Sequence, residues 1–276
     1  MATQWHATDK TFLITGGASG LGAEFAKTFL AIGAKKVAVL DVATEAGEAF
    51  VTSLNETYPG KAMFLKCDVS KEENIKSAFD KVLQDFKTID VIINNAGIMN
   101  DSPQMWRLAS DVNWQGVVSF TTKAVEHMRT DEGGAGGTII NISSSAAIFR
   151  FPILPIYSAS KMAVLQFSQC LSMPPFFERT GVRILTICFG PTKTPLIMNL
   201  IEKSIDPKFA LEFLSTVPSG HTQEVESAVK GLVEMYKLGS SGSVWMSAGN
   251  QPVKDITQVI RSAFEEFERV VKGELN

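Results

Sequence analysis

Tyr157 and Lys161 stand four residues apart in Tyr-Ser-Ala-Ser-Lys. At that spacing two side chains share one face of a helix. An ammonium beside a phenol favours the phenolate, drawing a tyrosine from its reference pKa of about 10 toward working pH. Such a group can take the proton from an alcohol as a hydride leaves its carbon. Ser144 lies thirteen residues earlier, where an apolar strand pattern closes in Asn141-Ile-Ser-Ser144, and can hold the substrate oxygen. Tyr-x-x-x-Lys alone is a weak signal, since most instances are ordinary helix faces, and its meaning rests on the elements around it.

Those elements begin with Thr11-Phe-Leu-Ile-Thr15, a buried-strand pattern that runs into Gly16-Gly-Ala-Ser-Gly-Leu-Gly22. A helical period follows through Phe25, Phe29, Leu30 and Ile32 to Gly33. Strand, glycine turn and helix together hold a pyrophosphate: glycines let the backbone approach, and the helix N-terminus offers free N–H groups and partial positive charge. The spacing is G-x-x-x-G-x-G, which a plain glycine turn also satisfies. The next strand, Val37–Leu40, ends in Asp41. A carboxylate there can accept hydrogen bonds from both ribose hydroxyls of an adenosine and repel a 2′-phosphate; no arginine or lysine follows at Val42 or Ala43, which favours NAD over NADP.

Further strands are expected at Ala62–Cys67, Val91–Asn94, Thr138–Ile142, Val182–Cys188 and Ser243–Met246, about seven in all. Ser70 and Glu73 have the spacing of a capping box for a helix running to Phe86. Helical character resumes around Met105 and continues, with Asn113 inside it, to Met128. Apolar strands alternating with helices imply a Rossmann-like, doubly wound parallel sheet covered on both faces. With no linker or repeat, the expectation is one domain over 1–276.

Bulk properties exclude several classes of function. The 276 residues are 45% hydrophobic, ample for a core, and the net charge of −3 with no basic run argues against nucleic acid as a partner. Cys67, Cys170 and Cys188 are an odd number in apolar patterns. They read as reduced, buried thiols of a cytoplasmic protein rather than a disulfide framework or a metal site. No run of eighteen apolar residues is present to span a membrane, and the first ten residues lack an apolar signal core.

Taken in order, Thr15–Gly22, Asp41, Asp68-Val69, Asn94-Asn-Ala-Gly97, Asn113, Ser144, Tyr157 with Lys161, and Gly190 with Thr192 and Thr194 resemble the short-chain dehydrogenase/reductase family. Trp106, Cys67-Asp-Val69 and the Thr15 glycine loop are similar to NAD-linked 15-hydroxyprostaglandin dehydrogenases. Gly190-Pro-Thr-Lys-Thr-Pro-Leu196 is similar to insect-type alcohol dehydrogenases. The resemblance implies reversible oxidation of an alcohol to a carbonyl. Tyr157 would be the acid/base, and Lys161 would lower its pKa and hold the nicotinamide ribose. Ser144 would bind the substrate oxygen, and Asn113 would interrupt its helix and hold a water that relays protons to Lys161. Gly16, Ser19, Gly20, Leu21 and Gly22 would cradle the cofactor, with Asp41, Val42, Asp68 and Val69 on one side and Asn95, Ala96, Gly97, Gly190, Thr192 and Thr194 on the other.

Three departures stand out. Phe189 precedes Gly190 where most members have proline, and Pro191 has no N–H for the carboxamide, so Thr192 or Thr194 must compensate. The prostaglandin enzymes carry a glutamine three residues before the tyrosine, where this chain has Leu154. Pro174-Pro175 shortens a helix that commonly packs against a partner subunit; a homodimer, or a tetramer, is still expected, through Phe167 and Leu171.

Phe149, Phe151 and Leu154, with Ile148 and Ile153, sit near the active centre, and residues 196–217 occupy the position of a substrate lid. These apolar stripes read either as core or as a greasy pocket for a lipid-like alcohol. Arg150 is the charge among them. Residues 253–271 repeat apolar side chains at three and four with an acidic opposite face, which predicts an added amphipathic helix docked on its own domain or on a second subunit. Two other functions compete with an active dehydrogenase: a carbonyl reductase, and an NAD-binding scaffold or redox sensor without turnover.

Overall fold

The computed structural model describes residues 5–216 and 222–274. The expected domain span therefore runs beyond it at 1–4, 217–221 and 275–276, and Val217 of the expected lid also lies outside the described residues. Among the described residues, eight strands form one sheet in the order β3-β2-β1-β4-β5-β6-β7-β8. They are β1 Thr11–Thr15, β2 Lys36–Asp41, β3 Ala62–Lys66, β4 Val91–Asn94, β5 Gly137–Ser144, β6 Val182–Phe189, β7 Val244–Ser247 and β8 Lys254–Asp255. The first seven are parallel; β8 pairs antiparallel with β7. The eighth strand is the departure from about seven: its two residues are exposed and carry no apolar signal.

Side chains alternate across the strands, because successive residues of a strand point to opposite faces. Phe12, Ile14, Val37, Val39, Leu185 and Ile187 pack on one face against α1 (Gly20–Ala31) and α9 (Val225–Leu238). Leu13, Ala38, Leu40, Ile92, Ile139 and Ile184 pack on the other against α3 (Glu72–Phe86) and α5 (Gly116–Met128). Strand order reverses direction at β1 and β4, which opens a crevice at their carboxyl ends, the usual place for a ligand in such a sheet.

Several local expectations are corrected. The Ser70 and Glu73 capping box does not form: α3 starts at Glu72 with Lys71 as its uncapped N-cap. Ser70 instead donates both its N–H (2.9 Å) and its hydroxyl (2.7 Å) to Asp68 Oδ1, a tighter local turn than a cap would give. The segment 105–128 is α4 (Trp106–Ser110), a π-helical turn at Asp111–Gln115, and α5, so the expected interruption at Asn113 is a wide turn rather than a break. Strand β5 spans Gly137–Ser144, longer than its apolar stretch Thr138–Ile142, and ends at Ser144 as the Asn141-Ile-Ser-Ser144 pattern implies. Cys170 is exposed, while Cys67 and Cys188 are buried. The C-terminal helix, α10, spans Thr257–Val271 and not 253–271, because β8 claims Lys254 and Asp255.

At the amino end of the sheet the fold contains a buried cation. Arg183 of β6 is 1% exposed. Its guanidinium lies 3.9 Å from the Trp5 ring centroid and 5.2 Å from that of Tyr236. It donates to the carbonyls of Tyr236 (2.9 Å) and Gly239 (2.8 Å) and twice to Thr138 Oγ1 (3.1 Å). Burial pushes its pKa down to about 9. Arg183→Ala is expected to cost about 3 kcal/mol, from a cavity and two orphaned carbonyls. A urea titration whose midpoint does not move would contradict this.

Candidate active site

Thr15, at the end of β1, accepts at Oγ1 from the N–H groups of Asn95 and Ala96, both at 3.0 Å. Asn95 Nδ2 returns two bonds of 3.0 Å, to the carbonyls of Thr15 and Gly16. These ties lock the glycine turn to the end of β4. Gly16 has φ of 62°, and a Cβ there would sit 2.8 Å from Ala96 Cα, so a side chain would force the two loops apart. At Gly22 a Cβ would meet the Gly16 carbonyl oxygen at 2.2 Å, which explains a structural rather than a contacting role: Gly22 does not line the crevice.

The crevice above this turn has a volume of about 370 Å³. Gly16, Ser19, Gly20 and Leu21 line one side, Asp41, Val42, Asp68 and Val69 the far end, and Asn95, Ala96, Gly97 and Thr194 the other side. Asp41 accepts the N–H of Ala18 at Oδ2 and that of Ala43 at Oδ1, both at 3.0 Å, and so braces the turn as well as facing the crevice. The cradle around Gly16, the open first turn of α1 and a carboxylate at the end of β2 fit a dinucleotide.

A second cavity of about 480 Å³ adjoins it; the two share Leu21, Asn95, Gly97, Thr194 and Leu196. Ser144, Tyr157 and Lys161 all line it. Ser144 ends β5 and accepts the Ala146 N–H at 3.1 Å. Tyr157 and Lys161 lie on α6 (Pro155–Leu171), one turn apart as expected. Lys161 Nζ donates to the Ile142 carbonyl at 2.9 Å and stands 5.9 Å from the Tyr157 ring centroid. A Cβ on Gly97 would come within 3.6 Å of that ammonium.

The electrostatics differ from expectation. Burial raises the Tyr157 phenol above its usual pKa, and the neighbouring Ser144 hydroxyl draws it partly back; Lys161 does not set the direction. Burial also pushes the Lys161 ammonium down to about 8. Both follow from removing charge from water.

Asn113 is fully buried in the π turn. Its Nδ2 donates to the Ile98 carbonyl (2.7 Å) and to Ser160 Oγ (3.2 Å), and its Oδ1 accepts the Ile98 N–H (2.8 Å). Both amide hydrogens are thereby spent on protein, so Asn113 joins the loop after β4 to α6.

Of the expected substrate residues, Phe149 and Phe151 line the cavity, joined by Met99, Leu196, Ile197 and Leu200. Leu154 does not: it is fully buried in a cluster with Ile153, Tyr157 and Ala210. The apolar stretch is thus divided: Phe149 and Phe151 border a cavity, and Ile153 and Leu154 are core. Arg150 also lines the cavity. Of the two threonines expected to compensate for Pro191, Thr192 is committed elsewhere. Its hydroxyl donates to Gly190 O (2.9 Å) and accepts from Gln223 Nε2 (3.0 Å). Thr194 borders both cavities.

Two residues at the site carry no signal of their own in the sequence. Gln223 is fully buried and bridges Thr192 to the Ser247 carbonyl (2.9 Å). Asp101, 1% exposed, accepts the N–H groups of Ile156 and Tyr157.

Comparison with known proteins identifies the family. A family model described as short chain dehydrogenase matches residues 10–204. The 15-hydroxyprostaglandin dehydrogenase [NAD(+)] of Rattus norvegicus is 37% identical over 199 residues, covering 72% of this chain and 73% of that protein. Alcohol dehydrogenase 1 of Ceratitis cosyra is 32% identical over 240 residues, covering 86% and 91%. Among solved structures, a levodione reductase superposes with a TM-score of 0.74 at 28% identity, covering 89% of this chain and 98% of that one. On sequence and fold alike, the chain belongs to the short-chain dehydrogenase family of oxidoreductases.

Proposed function

We propose that this chain oxidises a hydrophobic alcohol to its aldehyde or ketone, reversibly, with NAD. One observation carries the reading: Ser144, Tyr157 and Lys161 share a wall of a largely apolar cavity that opens into the dinucleotide crevice. The similar enzymes named for hydroxyprostaglandin and alcohol substrates support chemistry at a CH–OH carbon.

Bound in the crevice, the nicotinamide supplies the hydride acceptor. The remaining tasks fall to the chain. Ser144 holds the substrate oxygen where charge grows. Tyr157 takes the hydroxyl proton, and the Lys161 ammonium, held by the Ile142 carbonyl, adds positive charge on the phenol's side. Asp41 accepts from the adenosine ribose and repels a 2′-phosphate. Phe149, Phe151 and Leu200 take up the apolar body of the substrate, under a lid made by residues 196–216. The test is NADH absorbance on the purified protein with a panel of medium-chain, terpenoid and steroid alcohols. No turnover of any of them would overturn the reading.

The proposal extends to a cytoplasmic homodimer. No helix among the described residues is long and apolar enough to cross a membrane. Helix α10 docks on its own domain through Ile260 and Phe264, with its N-cap residue Ile256, and leaves Val259, Phe267, Val270 and Val271 exposed. None of its residues lines the substrate cavity. That exposed strip supports a subunit contact. Truncation after Asn250 is expected to shift the protein toward monomer by light scattering; a truncated protein that stays dimeric would rule α10 out as the contact.

A further inference from the structure

Asp101 lies in the loop between β4 and α4, outside every motif read from the sequence. Carboxylates are almost never this buried without partners. Its partners are main-chain donors: the Ile156 N–H reaches Oδ2 at 2.6 Å and the Tyr157 N–H reaches Oδ1 at 2.9 Å. These are the second and third residues of α6, whose N-cap residue, Leu154, supplies no side-chain cap. The first N–H groups of a helix have no acceptor within it, and Pro155 removes one of them. A carboxylate from 55 residues away therefore caps the helix, where the helix dipole and the charge favour it. One of the two capped amides belongs to Tyr157.

The same residue is tied to the lid. The Asp101 N–H donates to the Lys203 carbonyl at 2.7 Å. Nearby, the Ile205 N–H donates to the Ile153 carbonyl at 3.2 Å, two residues before α6 begins. Lys203 Nζ in turn donates to the Leu196 carbonyl at 3.1 Å, closing the lid segment on itself.

We propose that Asp101 is a positioning residue that couples the lid to Tyr157, so that seating the lid over the cavity sets the first turn of α6 and with it the phenol. The proposal rests on the roles given to Tyr157 and to residues 196–216 under the proposed function.

Asp101→Asn is the decisive variant. It keeps size and one acceptor oxygen, but turns an N–H donor toward one of the two amides. Asp101→Ala removes both carboxylate bonds to α6 and leaves the main-chain bond to Lys203 in place, and Asp101→Asn decides the matter if the alanine variant does not fold. Hydrogen exchange is measured on the purified chain, together with kcat, KM, the dissociation constant for NAD and the thermal midpoint. The expected result is exchange about tenfold faster at Ile156 and Tyr157 and, in the same protein, over Lys203–Ile205. The rest of the sheet keeps its protection, kcat falls about tenfold, and the NAD dissociation constant holds. Faster exchange confined to Ile156 and Tyr157, or spread through the whole chain, overturns the coupling. So does unchanged kcat alongside the loosened amides. If the wild type oxidises no alcohol, the proposed function fails while the exchange pattern still decides the coupling.

Discussion

Tyr157→Phe lowers kcat for alcohol oxidation by about 10²–10⁴-fold, the usual contribution of a positioned acid/base, and leaves the NAD dissociation constant unchanged. The phenylalanine ring fills the same space in the cluster with Leu154 and Ala210, so the loss is chemical rather than structural. Lys161→Ala reduces both turnover and NAD binding, because Lys161 faces the catalytic cavity and its ammonium lies beside Gly97 on the crevice wall. Stopped-flow kinetics with fluorescence titration of NAD separates the two; equal effects in both variants would contradict the assignment. The pH profile adds a sign. Oxidation needs the deprotonated phenol, so kcat/KM rises with pH and loses one proton doing so. Burial raises the Tyr157 pKa and Ser144 lowers it. The rise therefore lies toward alkaline pH, and Ser144→Ala moves it further up, with the residual activity appearing only at the higher pH. A profile that moves down on that substitution would mean that Ser144 does not stabilise the phenolate.

Asp41→Ala weakens NAD binding by about 2–4 kcal/mol, for two lost ribose hydrogen bonds to a charge. That is ~30-fold to several-hundred-fold in dissociation constant. Preference for NAD over NADP narrows with it. The structure adds a second consequence, since Asp41 also accepts from Ala18 and Ala43 and its loss loosens the glycine turn. The narrowing therefore comes mainly from weaker NAD and only slightly from better NADP. Asp41→Asn, which keeps an acceptor for the turn and removes the charge that repels a 2′-phosphate, should accept NADP better than Asp41→Ala does. Isothermal titration with both cofactors checks this; a wild type that binds NADP as well as NAD would show that Asp41 is not the selector.

What the sequence determined by itself is the set of relations carried by short spacings. The glycine turn follows β1 directly, Asp41 closes β2, and Tyr157 and Lys161 are one helical turn apart. Each depends only on backbone geometry within one strand–turn–helix unit, so the residues alone convey it. The parallel sheet is similarly legible, because strands buried on both faces must be apolar throughout.

Tertiary structure decided which buried groups meet across long separations. Nothing local marks Asp101 as the cap of α6, Gln223 as the partner of Thr192, or Arg183 as a cation held by carbonyls and rings. It also decided that Leu154 points into core and Phe149 toward the cavity, though both are apolar residues of one short loop. And it reversed the direction expected for Tyr157. The spacing to Lys161 reports a nearby charge, but only the closed walls around the phenol determine how much water is removed, and here desolvation is the larger effect.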